Sequence, residues 1–120
     1  MSVSAAKADA FYREIRATKT VWTIRDSGGL PAPKTVDGQR AQPFWSKRSR
    51  AQRVIDNVPA YADFELVSIA LDEWLDAWLP GLAKEGLLVG LNWSGRHATG
   101  YDLSVPDVIR NLEARSLHES

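Results

Sequence analysis

Histidine is the side chain that most often carries proton transfer near neutral pH, and this chain has two, His97 and His118. His97 lies in a polar stretch with Ser94 and Asp102, the partners that nucleophilic catalysis of the Ser-His-Asp kind requires. No Gly-x-Ser-x-Gly motif surrounds Ser94, and His118 falls in a tail expected to fray. A solvated loop histidine is the favoured interpretation. A small hydrolase or transferase with a His97-centred site is the alternative.

The residue types in this sequence do not favour a cofactor site or a metal site. The chain has no cysteine, which excludes disulfides, thiolate nucleophiles and sulfur-bound metals. His97 and Asp102 are too few for a good metal site. Gly28-Gly29 lacks both the Lys-Ser/Thr of a phosphate loop and the third glycine of a dinucleotide fingerprint. The sequence predicts no cofactor, no metal, and a protein that is more a binder than an enzyme.

A basic stretch offers a candidate anion site. Lys47, Arg48 and Arg50 follow Trp45 at the predicted start of a helix. Arginines there can hold a phosphate or carboxylate, because the free N–H groups of the helix end add to their donors. Weak binding of an anionic metabolite at 47–50 is therefore one reading. The other is a basic rim that forms salt bridges with the chain's own acidic helix.

Trp45 and Trp93 each end a predicted strand, and strand ends place side chains at a sheet rim where ligands and partners dock. The segment 92–96 is predicted to form a recognition loop with Trp45 and Arg48 nearby. The alternative is that both indole rings close the core. Whether segments 45–50 and 92–97 form one surface stays open. The candidate binding residues are Trp45, Lys47, Arg48, Arg50, Asn92, Trp93, Arg96 and His97.

Hydrophobic periodicity predicts the elements that must position these residues. The strongest helical pattern is the apolar stripe of Leu71, Trp74, Leu75, Trp78, Leu79 and Leu82. Strands are predicted at 21–25, 39–45, 64–69, 87–93 and 98–103, and further helices from Ser4, over 46–57 and from Ser104. The order is α-β-β-α-β-α-β-β-α. It predicts an α+β domain over 1–120, ordered from about 5 to 115, with a mixed, largely antiparallel sheet packed with helices.

Composition sets the class and the compartment. The chain has 120 residues, 44% of them hydrophobic and 25% charged, which is typical of a globular domain. Neither a secretory signal nor an apolar run of about 20 residues occurs. With the missing cysteines, this predicts a cytoplasmic protein without a membrane partner.

Charge is segregated although the formal net charge is zero. From Arg40 to Arg53 every charge is positive, and from Asp56 to Glu85 all but Lys84 are negative. A neutral total and a short basic run do not favour nucleic acid as a partner. A charge-polarised surface suits a specific protein partner, whose identity the sequence does not give.

Several stretches carry a resemblance to a known family. Val21-Trp22-Thr23-Ile24 comes first, then Pro43-Phe44-Trp45-Ser46 with Arg50-Ala51, Leu71-Asp72-Glu73-Trp74 with Trp78-Leu79-Pro80-Gly81-Leu82, and Gly86-Leu87-Leu88-Val89-Gly90-Leu91-Asn92-Trp93. In this order they resemble the bacterial domain of unknown function 2750 (DUF2750), over about Phe11 to Leu112. More distantly the pattern is similar to the SseB-type domain, from which Trp93 departs where that domain tends to have proline. The resemblance implies fold and a bacterial cytoplasmic origin, and no catalytic residue.

The sequence therefore predicts a non-catalytic protein-interaction or regulatory module. Oligomeric state is left open.

Overall fold

The computed structural model describes residues 3–35, 37–95 and 99–119. Its helices are α1 (Val3–Thr18), α2 (Arg48–Asn57), α3 (71–84) and α4 (Val105–Glu119), with a short 3-10 turn at Pro59–Tyr61. Its strands are β1 (Thr20–Arg25), β2 (Ala41–Phe44), β3 (Glu65–Ala70), β4 (Leu88–Ser94) and β5 (Thr99–Leu103). This is the predicted α+β element order. None of the described helices is long and apolar enough to cross a membrane.

The strands form two small sheets. β1 pairs with β3 antiparallel, and β4 lies between β2, its parallel neighbour, and β5, its antiparallel one. Trp22 and Trp45 exchange backbone hydrogen bonds of 2.8 and 2.7 Å, which connect β1 to the end of β2. The mixed, largely antiparallel arrangement predicted from the sequence is confirmed.

The tryptophan–leucine stripe of α3 lies against the sheet, as predicted. Trp74 and Leu79 are fully buried, and the Phe44 ring of β2 packs edge-on against Trp74 and Trp78 at centroid distances of 5.5 and 6.1 Å. Helices α1 and α4 complete this part of the core. A second cluster around α2 contains Ile24, Ala41, Trp45, Ala51, Val54, Val58 and Trp93.

Helix α3 changes its winding before Pro80. It is α-helical over Leu71–Glu73, π-helical over Trp74–Trp78 and α-helical again over Leu79–Lys84. Proline lacks an N–H and its ring clashes with the carbonyl four residues back, so a regular helix would be strained here. The wider π turn, in which the Leu79 N–H donates to the Trp74 carbonyl, lets the helix continue through Pro80.

Strand β4 contains an irregularity near its end. Asn92 has a φ of 50°, in the left-handed region, and the pairing with β5 shifts register between Leu91 and Ser94. The Trp93 ring lies against Gly90 and Gly100, where a Cβ atom would come within 2.4 and 2.7 Å of it. Only glycine leaves room for the ring at both positions. The bulge therefore turns the Trp93 indole onto the sheet instead of outward at the rim.

Candidate functional site

The two segments that the sequence singled out meet in the fold. The Trp45 indole nitrogen donates to the Trp93 carbonyl at 2.8 Å. The Ser46 backbone N–H donates to Asn92 Oδ1 at 3.0 Å, and Asn92 Nδ2 donates to Ser46 Oγ at 3.0 Å. Segments 45–50 and 92–95 are therefore in direct contact, whereas residues 96 and 97 of the second segment lie outside the described residues.

Glu14 of α1 extends this network to the basic stretch. Its carboxylate accepts from Ser46 Oγ at 2.6 Å and from Arg50 Nε and Nη2, each at 2.9 Å, with Lys47 Nζ 3.4 Å away. Burial alone would raise the pKa of Glu14, but the hydrogen bonds from Arg50 and Ser46 and the charges of Arg50 and Lys47 lower it from 4.5 to about 2. Glu14 is therefore ionised at neutral pH and fixes one side of the Arg50 guanidinium.

A basic cleft lies beside this network. Its volume is about 450 Å³, and its lining consists of Lys7, Arg50, Arg53, Val54, Asn57, Asn92, Trp93, Ser94 and Gly95. Three lining residues are cations, and no carboxylate is found among these lining residues. We call this site the basic cleft.

The three cations of the basic cleft have hydrogen-bond donors that no described residue uses. Among the described residues, Lys7 and Arg53 form no side-chain hydrogen bond or ion pair. Arg50 uses Nε and Nη2 on Glu14, so its Nη1 group keeps its hydrogens free of described partners. Such donors around an uncharged apolar wall of Val54 and Trp93 suit an anion with a small organic body.

The predicted site residues divide into three groups. Arg50, Asn92 and Trp93 line the basic cleft. Lys47 and Arg48 are exposed at the start of α2 and do not line the cleft. Trp45 does not line it either, but its indole N–H donates a hydrogen bond to the carbonyl of Trp93, a lining residue. Arg96 and His97 lie outside the described residues.

Three expectations need correction. Trp45 and Trp93 are 0% and 5% exposed, so the indoles are not displayed at a rim, and the alternative that they close the core is the right one. The basic stretch does form a salt bridge within the chain, but its partner is Glu14 of α1 and not the acidic helix α3. Ser46, the first residue of the helix predicted over 46–57, lies outside α2 and is buried in the Asn92 and Glu14 network, and Lys47 occupies the N-cap position without a side-chain capping hydrogen bond.

Sequence reasoning missed Lys7, Glu14, Arg53 and Asn57. A signal existed for two of them, because Arg50, Arg53 and Asn57 recur at the three- and four-residue spacing that places side chains on one helix face. Lys7 and Glu14 come from α1, far away along the chain, and nothing local indicates that they reach α2.

Two of the residues proposed for a His97-centred reaction, Ser94 and Asp102, line different cavities. Ser94 lines the basic cleft, whereas Asp102 lines a different cavity and accepts a 2.8 Å hydrogen bond from Trp93 Nε1. Burial raises the pKa of Asp102, and the Trp93 hydrogen bond partly offsets this. Across residues 3–35, 37–95 and 99–119, no group of three or more His, Cys, Asp or Glu side chains is placed to hold a metal ion.

Residues 8–112 match the model of a protein family described as "Protein of unknown function (DUF2750)". The match confirms the resemblance seen in the sequence, while the more distant similarity to the SseB-type domain stays a prediction. No curated protein matches the chain at a significant level.

Proposed function

The chain belongs to the DUF2750 family, and we propose that it is a non-catalytic regulatory module that recognises an anionic group in the basic cleft. The recognised chemistry is a carboxylate or a phosphate. It is carried either by a small metabolite or by an acidic segment of a protein partner. A cytoplasmic location, indicated by the missing cysteines, is part of this proposal.

One observation carries the proposal: Lys7, Arg50 and Arg53 converge on one cleft, and donors of all three are without a described partner. Like charges repel, so bringing three cations together costs free energy unless an anion joins them. Glu14 neutralises part of this charge, but it sits behind Arg50 and is not part of the cleft lining.

The geometry also favours binding over chemistry. The lining holds one hydroxyl, Ser94, and no carboxylate or imidazole among the described residues that would activate it. Arg50 is held bidentate by Glu14 and is therefore pre-organised, which reduces the entropy cost of binding an anion.

The test is a titration with inorganic phosphate, citrate and a hexaglutamate peptide, followed by thermal shift and by NMR of the α2 amides. An anion that binds only the native state raises Tm. Arg53→Ala is expected to weaken binding roughly tenfold, the effect of losing about one charge-assisted hydrogen bond. Fold stability should be unchanged, because Arg53 is exposed and forms no described ion pair.

Arg48→Ala is the matched control, since Arg48 is also an exposed arginine of α2 but does not line the cleft. Arg53-dependent binding of phosphate or citrate would identify a metabolite-type ligand, and binding of hexaglutamate alone would assign the anion to a protein. The proposal is wrong if none of the three probes binds, or if Arg48→Ala weakens binding as much as Arg53→Ala does.

A further inference from the structure

Strand β3 has one edge with which no described strand pairs. Its sheet contains only β1 and β3, and β1 has β3 on one side and the bridge to the residue after β2 on the other. Three of the six residues of β3 are exposed and one is buried, whereas all four residues of β2 are buried. Within the part of the chain that the structure describes, β3 is therefore an edge strand.

The hydrogen bonds around β1 show which backbone groups of β3 point to this edge. In an antiparallel pair, successive residues direct their N–H and C=O groups alternately toward and away from the neighbouring strand. Trp22 uses both groups on the residue after β2, so its register partner Ser68 is not bonded to it. The Leu71 N–H donates to the Lys19 carbonyl at 2.9 Å, which fits the same alternation. The N–H and C=O groups of Leu66 and Ser68 therefore point away from β1. No other described residue bonds these four groups, and we call them the β3 edge.

The β3 edge lacks the features that usually protect an edge strand from pairing. Such strands are typically short or carry lysine, proline or a bulge. β3 contains neither proline nor lysine, and all six of its residues pair with β1 without a register shift. The edge strand of the other sheet, β5, differs because its pairing with β4 is irregular and it contains Asp102. β3 thus presents a regular edge that can accept a further strand.

The charges at the two ends of β3 select the kind of strand. Asp63 precedes β3, and Asp72 and Glu73 follow it; all three are exposed and have no described ion pair. The cations nearest in register, Lys19 and Arg25, belong to the β1 side of the pair, away from the β3 edge.

A second copy of the chain does not suit these charges. Two β3 edges joined about a two-fold axis would run antiparallel, which places Asp63 of each copy beside Asp72 and Glu73 of the other. Like charges facing each other across paired strands are destabilising. A strand with a cation at each end is complementary to the same surface.

We propose that the β3 edge binds an extended basic segment of a protein partner, which adds a strand to the sheet. The backbone of the segment pairs with the outward groups of Leu66 and Ser68, as in other cases of β-strand addition. Its terminal cations face Asp63 at one end and Asp72 at the other. The β3 edge shares no residue with the basic cleft, so either proposal can fail without the other.

The test follows amide hydrogen exchange by NMR in the whole protein, with the peptide acetyl-Lys-Val-Thr-Val-Lys-amide. In the free protein the Leu66 and Ser68 amides should exchange fast, and those of Val67 and Ile69, which face β1, slowly. A saturating peptide concentration should slow exchange at Leu66 and Ser68 roughly tenfold. Two control peptides should not protect them: the same sequence methylated at every backbone nitrogen, which cannot donate, and acetyl-Glu-Val-Thr-Val-Glu-amide.

Variants at Ser68 test the charge preference of the edge. Ser68→Lys should weaken binding of the lysine peptide roughly two- to fivefold, and Ser68→Glu should strengthen it by a similar factor. Both should keep the Tm of the parent, because Ser68 is exposed and its side chain has no described hydrogen bond. Ala83→Lys is the matched control, since it adds the same charge at an exposed position of α3 outside β3 and should bind like the parent.

Four results would overturn the proposal. The first is that the lysine peptide does not protect Leu66 and Ser68, and the second is that either control peptide protects them equally. The third is that Ser68→Lys and Ser68→Glu bind the lysine peptide alike. The fourth is protection of both amides that increases with protein concentration alone, which would assign the edge to a second copy.

Discussion

At the basic cleft the buried Ser46 and Asn92 side chains form hydrogen bonds with each other and with Glu14, whereas within β2 the buried Gln42 nitrogen has no described partner. Gln42 lies within β2, and Ser46 follows shortly after the end of that strand. They differ in what their polar groups bind: Ser46, Asn92 and Glu14 connect α1, β4 and the residues before α2, whereas the Gln42 donor has no described partner.

This difference separates two kinds of polar residue. A buried group whose partners lie within the chain stabilises the fold, and its removal leaves those partners unpaired. A buried group without a partner destabilises the fold, so replacing it with an apolar group should stabilise the fold. Mutations at the two sites should therefore change stability in opposite directions.

The largest effect is expected at the wall of the basic cleft. Trp93→Ala removes a ring that packs between Gly90 and Gly100 and belongs to the core around α2. It should lower the free energy of unfolding by about 3–5 kcal/mol, the usual range for deleting a buried aromatic side chain. Urea denaturation measures it. Leu30→Ala, at a position 41% exposed, is the control and should stay within about 0.5 kcal/mol of the parent. A Trp93→Ala protein as stable as the parent would contradict the description of the cleft as part of the core.

Glu14→Gln tests the internal network of the cleft. Losing the carboxylate leaves Arg50 and Lys47 without their partner, and the free energy of unfolding should fall by about 2 kcal/mol at neutral pH. The folded pKa of Glu14, about 2, is below its ordinary value of 4.5. Its stabilising contribution is therefore fully present above pH 4.5 and is lost as the pH falls towards 2.

Urea denaturation of the parent and Glu14→Gln proteins at several pH values checks this dependence. The difference between the two should be constant above pH 4.5 and should shrink steadily below it. Glu113→Gln, a change at a carboxylate of α4 outside the cleft, controls for general acid effects. A parent–variant difference that is the same at pH 3 and pH 7 would show that Glu14 is not held ionised by Arg50 and Ser46.

The sequence predicts the helices and strands better than it predicts the contacts between residues that are far apart along the chain. The stripe of α3 is a local pattern at helical spacing, and its burial follows from that spacing alone. The bond between Ser46 and Asn92 joins residues 46 positions apart, and it depends on the left-handed backbone at Asn92. The segment Leu87 to Trp93, which is mostly apolar, predicts a regular strand and gives no indication of the bulge.

Trp93 shows what a finer pattern would add. Trp93 is near the end of β4. Its burial depends on two glycines, one on each strand of the hairpin, which leave room for the ring. Gly90 and Gly100 are visible in the sequence, but only the pairing of β4 with β5 brings them under one ring. The same holds for Gln42. The sequence shows a polar residue within a predicted strand, but it does not show that the Gln42 nitrogen lacks a hydrogen-bond partner in the buried β2.

The smallest effect, and the one of opposite sign, is expected for Gln42→Met. Methionine has a similar length and no donor, so the change removes an unpaired buried amide and should raise the free energy of unfolding by about 1 kcal/mol. Thr23→Val is the matched control on the neighbouring strand, because it keeps the shape while deleting a hydroxyl that donates to the Pro43 carbonyl at 2.9 Å. It should lower stability by about 1 kcal/mol. Urea denaturation of both variants gives the two signs directly. If Gln42→Met destabilises the protein as much as Thr23→Val does, then the Gln42 amide has a partner within the folded chain, and the contrast between the two sites disappears.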